Sequence, residues 1–312
     1  MLLVALTLFA VLLGWYVTVR ERVRKQQDAI ARLQAAGCIV HFEADLENSL
    51  TYRIFGRNST VKVREVMDLE GNLKNESNIS ALTAFPDLRE ISLHDPYVQT
   101  IEQVAMNAPA LEQLCIFERV TSDKLQGIHR LKNLRHLTLY DSAGLDDAGL
   151  NRIAALPRLK LLFMQNGSIS ADGFAAIAAL RTLTHLAFEK TAFGDIPYRK
   201  IGGLGNLKDV GLSHSNFDDS RLAEFLAAYP NLESIVLSRT SITDAAIGSL
   251  IKLKKLQKVN LAFTDVTDKG AKELTQLRLL RELYVGPGIS ETAEQLLRRE
   301  MKECTIHIMD ER

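Results

Sequence analysis

Four side chains near the middle of the chain, His136, His185, Glu189 and Asp209, are of the types from which acid–base or metal chemistry is built. Imidazole titrates near neutrality and ligates metals, and a nearby carboxylate orients it. Their spacing argues against a centre. His136 and His185 are 49 residues apart, so neither is held beside the other by a single helix turn. No H-E-x-x-H, G-x-S-x-G or phosphate-cradling glycine loop occurs. Cys38, Cys115 and Cys304 are odd in number and widely separated, which fits neither a disulfide framework nor a zinc site; they read as small apolar residues. The D-x-E-x-N run at 68–72 lacks the rest of a calcium loop. Lys plus Arg equals Asp plus Glu at 38 each in 312 residues, so no global field points to nucleic acid. The chemistry expected is binding, without catalysis, metal or cofactor.

The elements that position these residues belong to a repeat. L-x-x-[LIV]-x-[LIVMF] begins at Leu88, Leu111, Leu134, Leu159, Leu183, Leu207, Leu232, Leu256 and Leu280, at steps of 23 to 25 residues. A degenerate copy, VREVMD, starts at Val63. Within each copy the fourth and sixth places face inward and the third, fifth and seventh outward, by the period of two of a strand. Leu150, Ile153 and Leu156, or Phe174, Ile177 and Leu180, then give a short helix one buried face. A lone unit cannot bury that face, so the units must stack. The ninth place carries Ser142, Thr191, Ser215, Thr240 and Thr264, with Gly167 the exception; a small hydroxyl there can bond turn backbone. Asp147, Asp195, Asp219, Asp244 and Asp268 fall where the helix is capped and read as structural.

Register then sorts the polar residues into outward columns. The third-place column includes His136, Leu161, His185 and Asp209; Phe163 lies in the fifth, and Phe117, Tyr140 and Glu189 in the seventh. Adjacent strands lie about 4.8 Å apart, so Phe117, Tyr140, Leu161 and Phe163 form an apolar patch suited to anchoring a partner. His136, His185, Glu189 and Asp209 supply its polar rim, with His185 and Asp209 equally readable as a structural pair.

The ends differ from the repeats. Residues 2–19, LLVALTLFAVLLGWYVTV, carry no charge and are followed by Arg20, Arg22, Arg24 and Lys25. Eighteen helical residues cover roughly 27 Å, near the thickness of a bilayer core. The expectation is an uncleaved transmembrane anchor over 1–19, a helical juxtamembrane stalk over 20–36 that stops at Gly37, and an N-terminal cap over 37–62. CIVHFEADLENSLTYRIFG (38–56) reads as two strands around a polar turn. The repeats occupy 63–303, and CTIHIM opens a last edge strand with a charged tail over 304–312.

The motifs LREISL, LRHLTL and LQKVNL, with the S/T-x-I/V-T-D turn of SITDAAIGSL and DVTDKGAKEL, resemble the leucine-rich repeat family of the ribonuclease-inhibitor-like and cysteine-containing type. With LLGWYVTVRERVRKQQDAIARLQAAGCIVHFE in front, the chain resembles membrane-anchored bacterial members. The resemblance implies an α/β solenoid of about ten strand-turn-helix repeats with a parallel concave sheet, behind a transmembrane helix. It implies a protein or peptide partner on the concave face and a single pass through a bacterial inner membrane, on a side the charges leave open. A self-associating structural role and an unrecognised hydrolase are the alternatives.

Overall fold

The computed structural model describes residues 2–44, 61–73 and 75–309, with side chains for 9–42, 62–73 and 75–309. Two compact units are present: Met1–Ile116 with Gln126–Asn133, and Phe117–Leu125 with Leu134–Arg312.

In the first unit one helix runs through Leu2–Ala35 and ends where Gly37 takes a left-handed φ of 78°, a conformation that glycine adopts without a Cβ clash. Residues 20–36, expected as a stalk, pack along one side. Val23, Ala29 and Leu33, six and four residues apart, are buried, and Gln26 Nε2 donates to the Ala84 carbonyl at 3.3 Å. This half of the helix therefore covers apolar surface at the start of the stack, which an end repeat needs. Among the described residues no helix is long and apolar enough to cross a membrane. The transmembrane helix expected over residues 1–19 thus has no support there; the side chains of residues 2–8 lie outside the described residues.

Strand β1 (Cys38–Ala44) pairs antiparallel with β2 (Val61–Asp68). The second strand expected within 38–56 lies outside the described residues. β1 finds its partner instead in the VREVMD copy, which also pairs parallel with β3 (Glu90–Leu93) at Glu65↔Glu90. β3 in turn pairs with β4 (Gln113–Thr121) at Glu90↔Gln113. The D-x-E-x-N run is a turn closed by its own first residue: the buried Asp68 carboxylate accepts from Asn72 N at 2.7 Å and Leu73 N at 3.0 Å.

In the second unit β5 (His136–Gly144), β6 (Leu161–Gln165), β8 (His185–Glu189), β10 (Asp209–Gly211), β11 (Ser234–Val236), β12 (Lys258–Leu261), β13 (Glu282–Val285) and β14 (Thr305–Ile308) lie side by side. All pair parallel and in repeat register, from His136↔Leu161 through Lys258↔Glu282 to Glu282↔Thr305. β7 (Ser168–Ile169) and β9 (Ala192–Phe193) make a separate two-residue parallel pair in the turns. The leucine columns explain the register. Every first, fourth and sixth place from Leu134 to Val285 is at most 2% exposed, and burying one such side chain contributes about 1.5–3 kcal/mol. A slip of one residue turns the whole set into water.

The turns repeat as strictly. At the eighth place Asn166, Lys190, His214, Arg239 and Phe263 all have φ between 49° and 58°. The first four donate their amides to the following repeat, as in Asn166 N to Glu189 O at 3.0 Å and His214 N to Ser238 O at 2.9 Å. The ninth-place hydroxyls behave as expected: Ser215, Thr240 and Thr264 donate to the carbonyls of Leu212, Leu237 and Leu261 at 2.6 to 2.7 Å. Gly167 is glycine because the Ser142 hydroxyl, reaching across to the Gln165 carbonyl, would lie 2.7 Å from a Cβ there.

The aspartates correct the expectation. Asp147, Asp219, Asp244 and Asp268 do not cap their own helices. Each is the first helical residue, and the caps are Asp146, Ser170, Asp218, Thr243, Thr267 and Ser290. The aspartates reach to the next repeat instead. Asp219 accepts the amide and hydroxyl of Thr243 at 2.8 and 2.6 Å. Asp244 does the same to Thr267 at 2.8 and 2.7 Å, and Asp268 to Ser290 at 2.7 and 2.6 Å. In each T-D pair, then, Thr caps its own helix and Asp staples the neighbour's cap. The bonds from the Ser290 hydroxyl and amide hold the Asp268 carboxyl below its ordinary range. At Asp244 burial pushes the carboxyl upward, but the bonds from Thr267 and Gly270 outweigh it and the net shift is down.

Candidate functional site

The expected aromatic patch lies wholly in the second unit. Phe117 and Tyr140 stack with ring centroids 4.8 Å apart and planes 7° from parallel, the spacing of two neighbouring strands. Phe163 meets Tyr140 at 5.6 Å, tilted by 55°. Tyr140 is exposed and Phe117, Phe163 and Leu161 half-buried. A feature not foreseen from the repeat displays these rings. Glu118 and Asp141, the eighth residues here, are absent from the left-handed set. Without that turn β4 and β5 continue for nine residues each, so Phe117 and Tyr140 sit in mid-strand. Residue type at the eighth place did not signal it, since Asp95, acidic at the same place of the Leu88 copy, takes a left-handed φ of 42°.

The rim residues divide. His185 Nε2 lies 3.0 Å from Asp209 Oδ2 on the next strand, in register as expected. Thr184 Oγ1 lies 2.8 Å from His185 Nδ1, which completes a hydroxyl–imidazole–carboxylate chain. It is not poised as a nucleophile, because the same hydroxyl donates to the Lys160 carbonyl at 3.1 Å, and the imidazole is half in water. The link ties two repeats together and contributes about 0–1 kcal/mol. His136 is set apart from His185 by Leu161, which pairs with both. Glu189 pairs with Gln165 rather than with the rings, and its carbonyl serves the turn by accepting from Asn166 N and Thr191 Oγ1. Among the described residues no group of three or more His, Cys, Asp or Glu could hold a metal ion. Burial pushes the Cys38 and Cys115 thiols up to about 12, with Asp68 adding at the first and Glu90 and Glu65 at the second. Neither is a thiolate at neutral pH, so neither is a ready nucleophile.

What repeats here is a strand with leucines at the first, fourth and sixth places, a left-handed exit, a hydroxyl at the ninth place and a short capped helix, all in parallel register. The chain is built of leucine-rich repeats.

No family model matches the chain. It is 30% identical over 228 residues to a Caenorhabditis elegans protein named for RNA binding, a match covering 67% of this chain and 30% of that protein. It is 34% identical over 126 residues to tubulin-specific chaperone E of Xenopus laevis, covering 38% of this chain and 24% of that one. The chain thus spans under a third of the length of either relative. A solved leucine-rich repeat protein of Leptospira interrogans aligns at 20% identity with a TM-score of 0.45, over 73% of this chain and 68% of that one. A likeness at that level adds nothing to what the register shows.

Proposed function

We propose that the chain is a non-catalytic leucine-rich repeat protein that binds a protein or peptide on the open face of its second unit. One observation carries this reading: Phe117, Tyr140 and Phe163 make a continuous aromatic surface on a sheet face. Rings already stacked lose little entropy when a partner covers them, and aromatic anchors dominate protein interfaces. Phe117 and Tyr140 each give one ring face to the other, which leaves less room for a base to intercalate, and the chain's charge balances at 38 to 38. The RNA binding in the relative's name is therefore an outcome of the test rather than the reading.

A membrane tether at the N-terminal helix is the second part of this proposal. Phe9, Val11, Leu12, Leu13, Trp15, Tyr16 and Val17 are exposed all round it, and Arg20, Arg22, Arg24 and Lys25 follow at once. An all-round apolar helix has a use in lipid or in a protein interior; single-pass anchoring in a bacterial inner membrane is the proposal.

A photo-crosslinking residue at Thr138, beside the rings, tests the site against the same residue at Val236, four strands further along. The expected result is a crosslinked protein at position 138 only, lost when Phe117, Tyr140 and Phe163 are replaced together by Ser. A crosslink to a second copy of the chain makes the role self-assembly, and a nuclease-sensitive product makes it RNA binding. Retention in the membrane fraction after alkaline washing, lost on deletion of residues 2–19, checks the tether.

A further inference from the structure

The basic groups around the strands of the second unit are of two kinds. At the second and third places they find carboxylates one strand on: His185 meets Asp209 at 3.0 Å, Lys208 meets Glu233 at 2.9 Å and Lys258 meets Glu282 at 2.7 Å. At the eighth place they do not. There Lys190, His214 and Arg239 follow one another on the exits of β8, β10 and β11, and all three are exposed. Among the described residues neither Lys190 nor Arg239 has a carboxylate partner. The same place on β4 and β5, beside the rings, holds Glu118 and Asp141. The column thus runs from acidic to basic along the stack.

Arg239 supplies a second observation. Its guanidinium lies 4.2 Å over the centre of the Phe263 ring. Stacking of this kind holds the plane of the fork while its edge N–H groups remain to donate, and a carboxylate accepts from that edge bidentately. The sheet beside it is low. Its seventh-place residues are Ser213, Ser238 and Ala262, where Phe117 and Tyr140 stand near the rings. The two serine hydroxyls lie 2.9 Å apart. The turn itself does not select the cations: Lys190 and Arg239 hold φ of 49° and 56°, a conformation asparagine adopts more readily, as Asn166 does.

We propose that the partner is a peptide whose apolar anchor sits on Phe117, Tyr140 and Phe163 and whose acidic side chains lie over Lys190, His214 and Arg239. The acidic contact rests on the proposed docking of that anchor. Strand pairing leads from Tyr140 to Lys190 in two steps and to Arg239 in four, about 10 Å and 19 Å at 4.8 Å per strand. An extended peptide rises roughly 3.3 Å per residue, so its acidic residues stand about three to six positions from the anchor. Glu118 and Asp141 directly follow two of the rings. They repel a phosphate chain at the anchor and suit a basic residue beside it, which favours a peptide over a nucleic acid.

The test is calorimetric titration of the full chain with three probes: acetyl-Lys-Trp-Ser-Ser-Glu-Glu-Glu-Glu-amide, its charge-reversed counterpart acetyl-Glu-Trp-Ser-Ser-Lys-Lys-Lys-Lys-amide, and oligouridylate. The expected result is saturable binding of the acidic peptide, about tenfold or more tighter than of the basic one. Lys190→Glu with Arg239→Glu is expected to weaken the acidic peptide about tenfold and to improve the basic one, a reversal that damage to the fold does not produce. Lys252→Glu with Lys255→Glu makes the same change in net charge in the turn before β12 and should leave both affinities as in the parent. Loss of binding in the triple serine variant, with equal affinity of the parent for both peptides, overturns the charge pairing and leaves the aromatic surface standing. Charge-dependent binding that the triple serine variant retains overturns the anchor, and with it the proposed docking surface. No saturable binding of the acidic peptide, or tighter binding of oligouridylate, overturns the proposal.

Discussion

Two stretches of the same flank hold neighbouring repeats together by different means. Between Asp219 and Ser290 each junction is closed by a carboxylate that accepts both the hydroxyl and the amide of the next cap. Around Asp195 that device is missing, and rings fill in behind it: Phe193 meets Phe217 edge-on at 5.0 Å, Tyr198 meets Phe225 at 5.2 Å, and Phe225 meets Tyr229 at 4.9 Å. A polar staple closes a junction to its surface. An aromatic cluster closes only the interior and leaves the outer layer open. The difference turns on whether the cap carries a hydroxyl or a second carboxylate.

Breaking the aromatic side of this contrast has the largest expected effect. Phe217→Ala empties a fully buried site and is expected to cost about 3–5 kcal/mol, read from the denaturation midpoint. On the stapled side, Asp244→Ala leaves the Thr267 amide and hydroxyl and the Gly270 amide without their acceptor, for roughly 1–2 kcal/mol by the same measurement.

Acid sharpens the same point. The Asp244 and Asp268 carboxyls titrate lower in the folded chain than their ordinary range, so the unfolded chain binds protons first as pH falls. Their stabilisation is whole above the unfolded value of about 3.9 and disappears as pH drops through the lower folded value. The gap in Tm between the parent and Asp244→Asn should therefore shrink as pH falls from above about 3.9 through the lower folded value. A gap that stays constant denies that the carboxylate form makes the bonds.

The smallest effect is the most discriminating. Asp195→Ala removes an aspartate from the same repeat place as Asp244, yet its stability change should stay within about 0.5 kcal/mol, as at an ordinary exposed site. A loss like that of Asp244→Ala would mean that the junction is stapled after all.

The leucine lattice was legible because it obeys one local rule, burial of alternate strand positions, repeated at every copy. The ninth-place hydroxyls were legible for the same reason. The role of the aspartates was not, since whether Asp244 caps its own helix or staples Thr267 depends on a residue 23 positions away. Stacking brings that residue near, and composition does not state it. The patch at Phe117, Tyr140 and Phe163 could be placed from register alone, but its display depends on the exits at Glu118 and Asp141 staying extended. The broken junction had a written trace, AFGDI (192–196) where later copies have SITDA (241–245) and DVTDK (265–269), and only the stacking sets its aspartate against a second carboxylate.

The sequence by itself determined the repeat, its register and which residues face inward, because hydrophobic burial reads periodicity and periodicity is local. Tertiary structure alone decided which carboxylate meets which hydroxyl and where the rings touch. Those outcomes depend on directional contacts between residues brought together by stacking, to tolerances of a few tenths of an ångström that no spacing rule encodes.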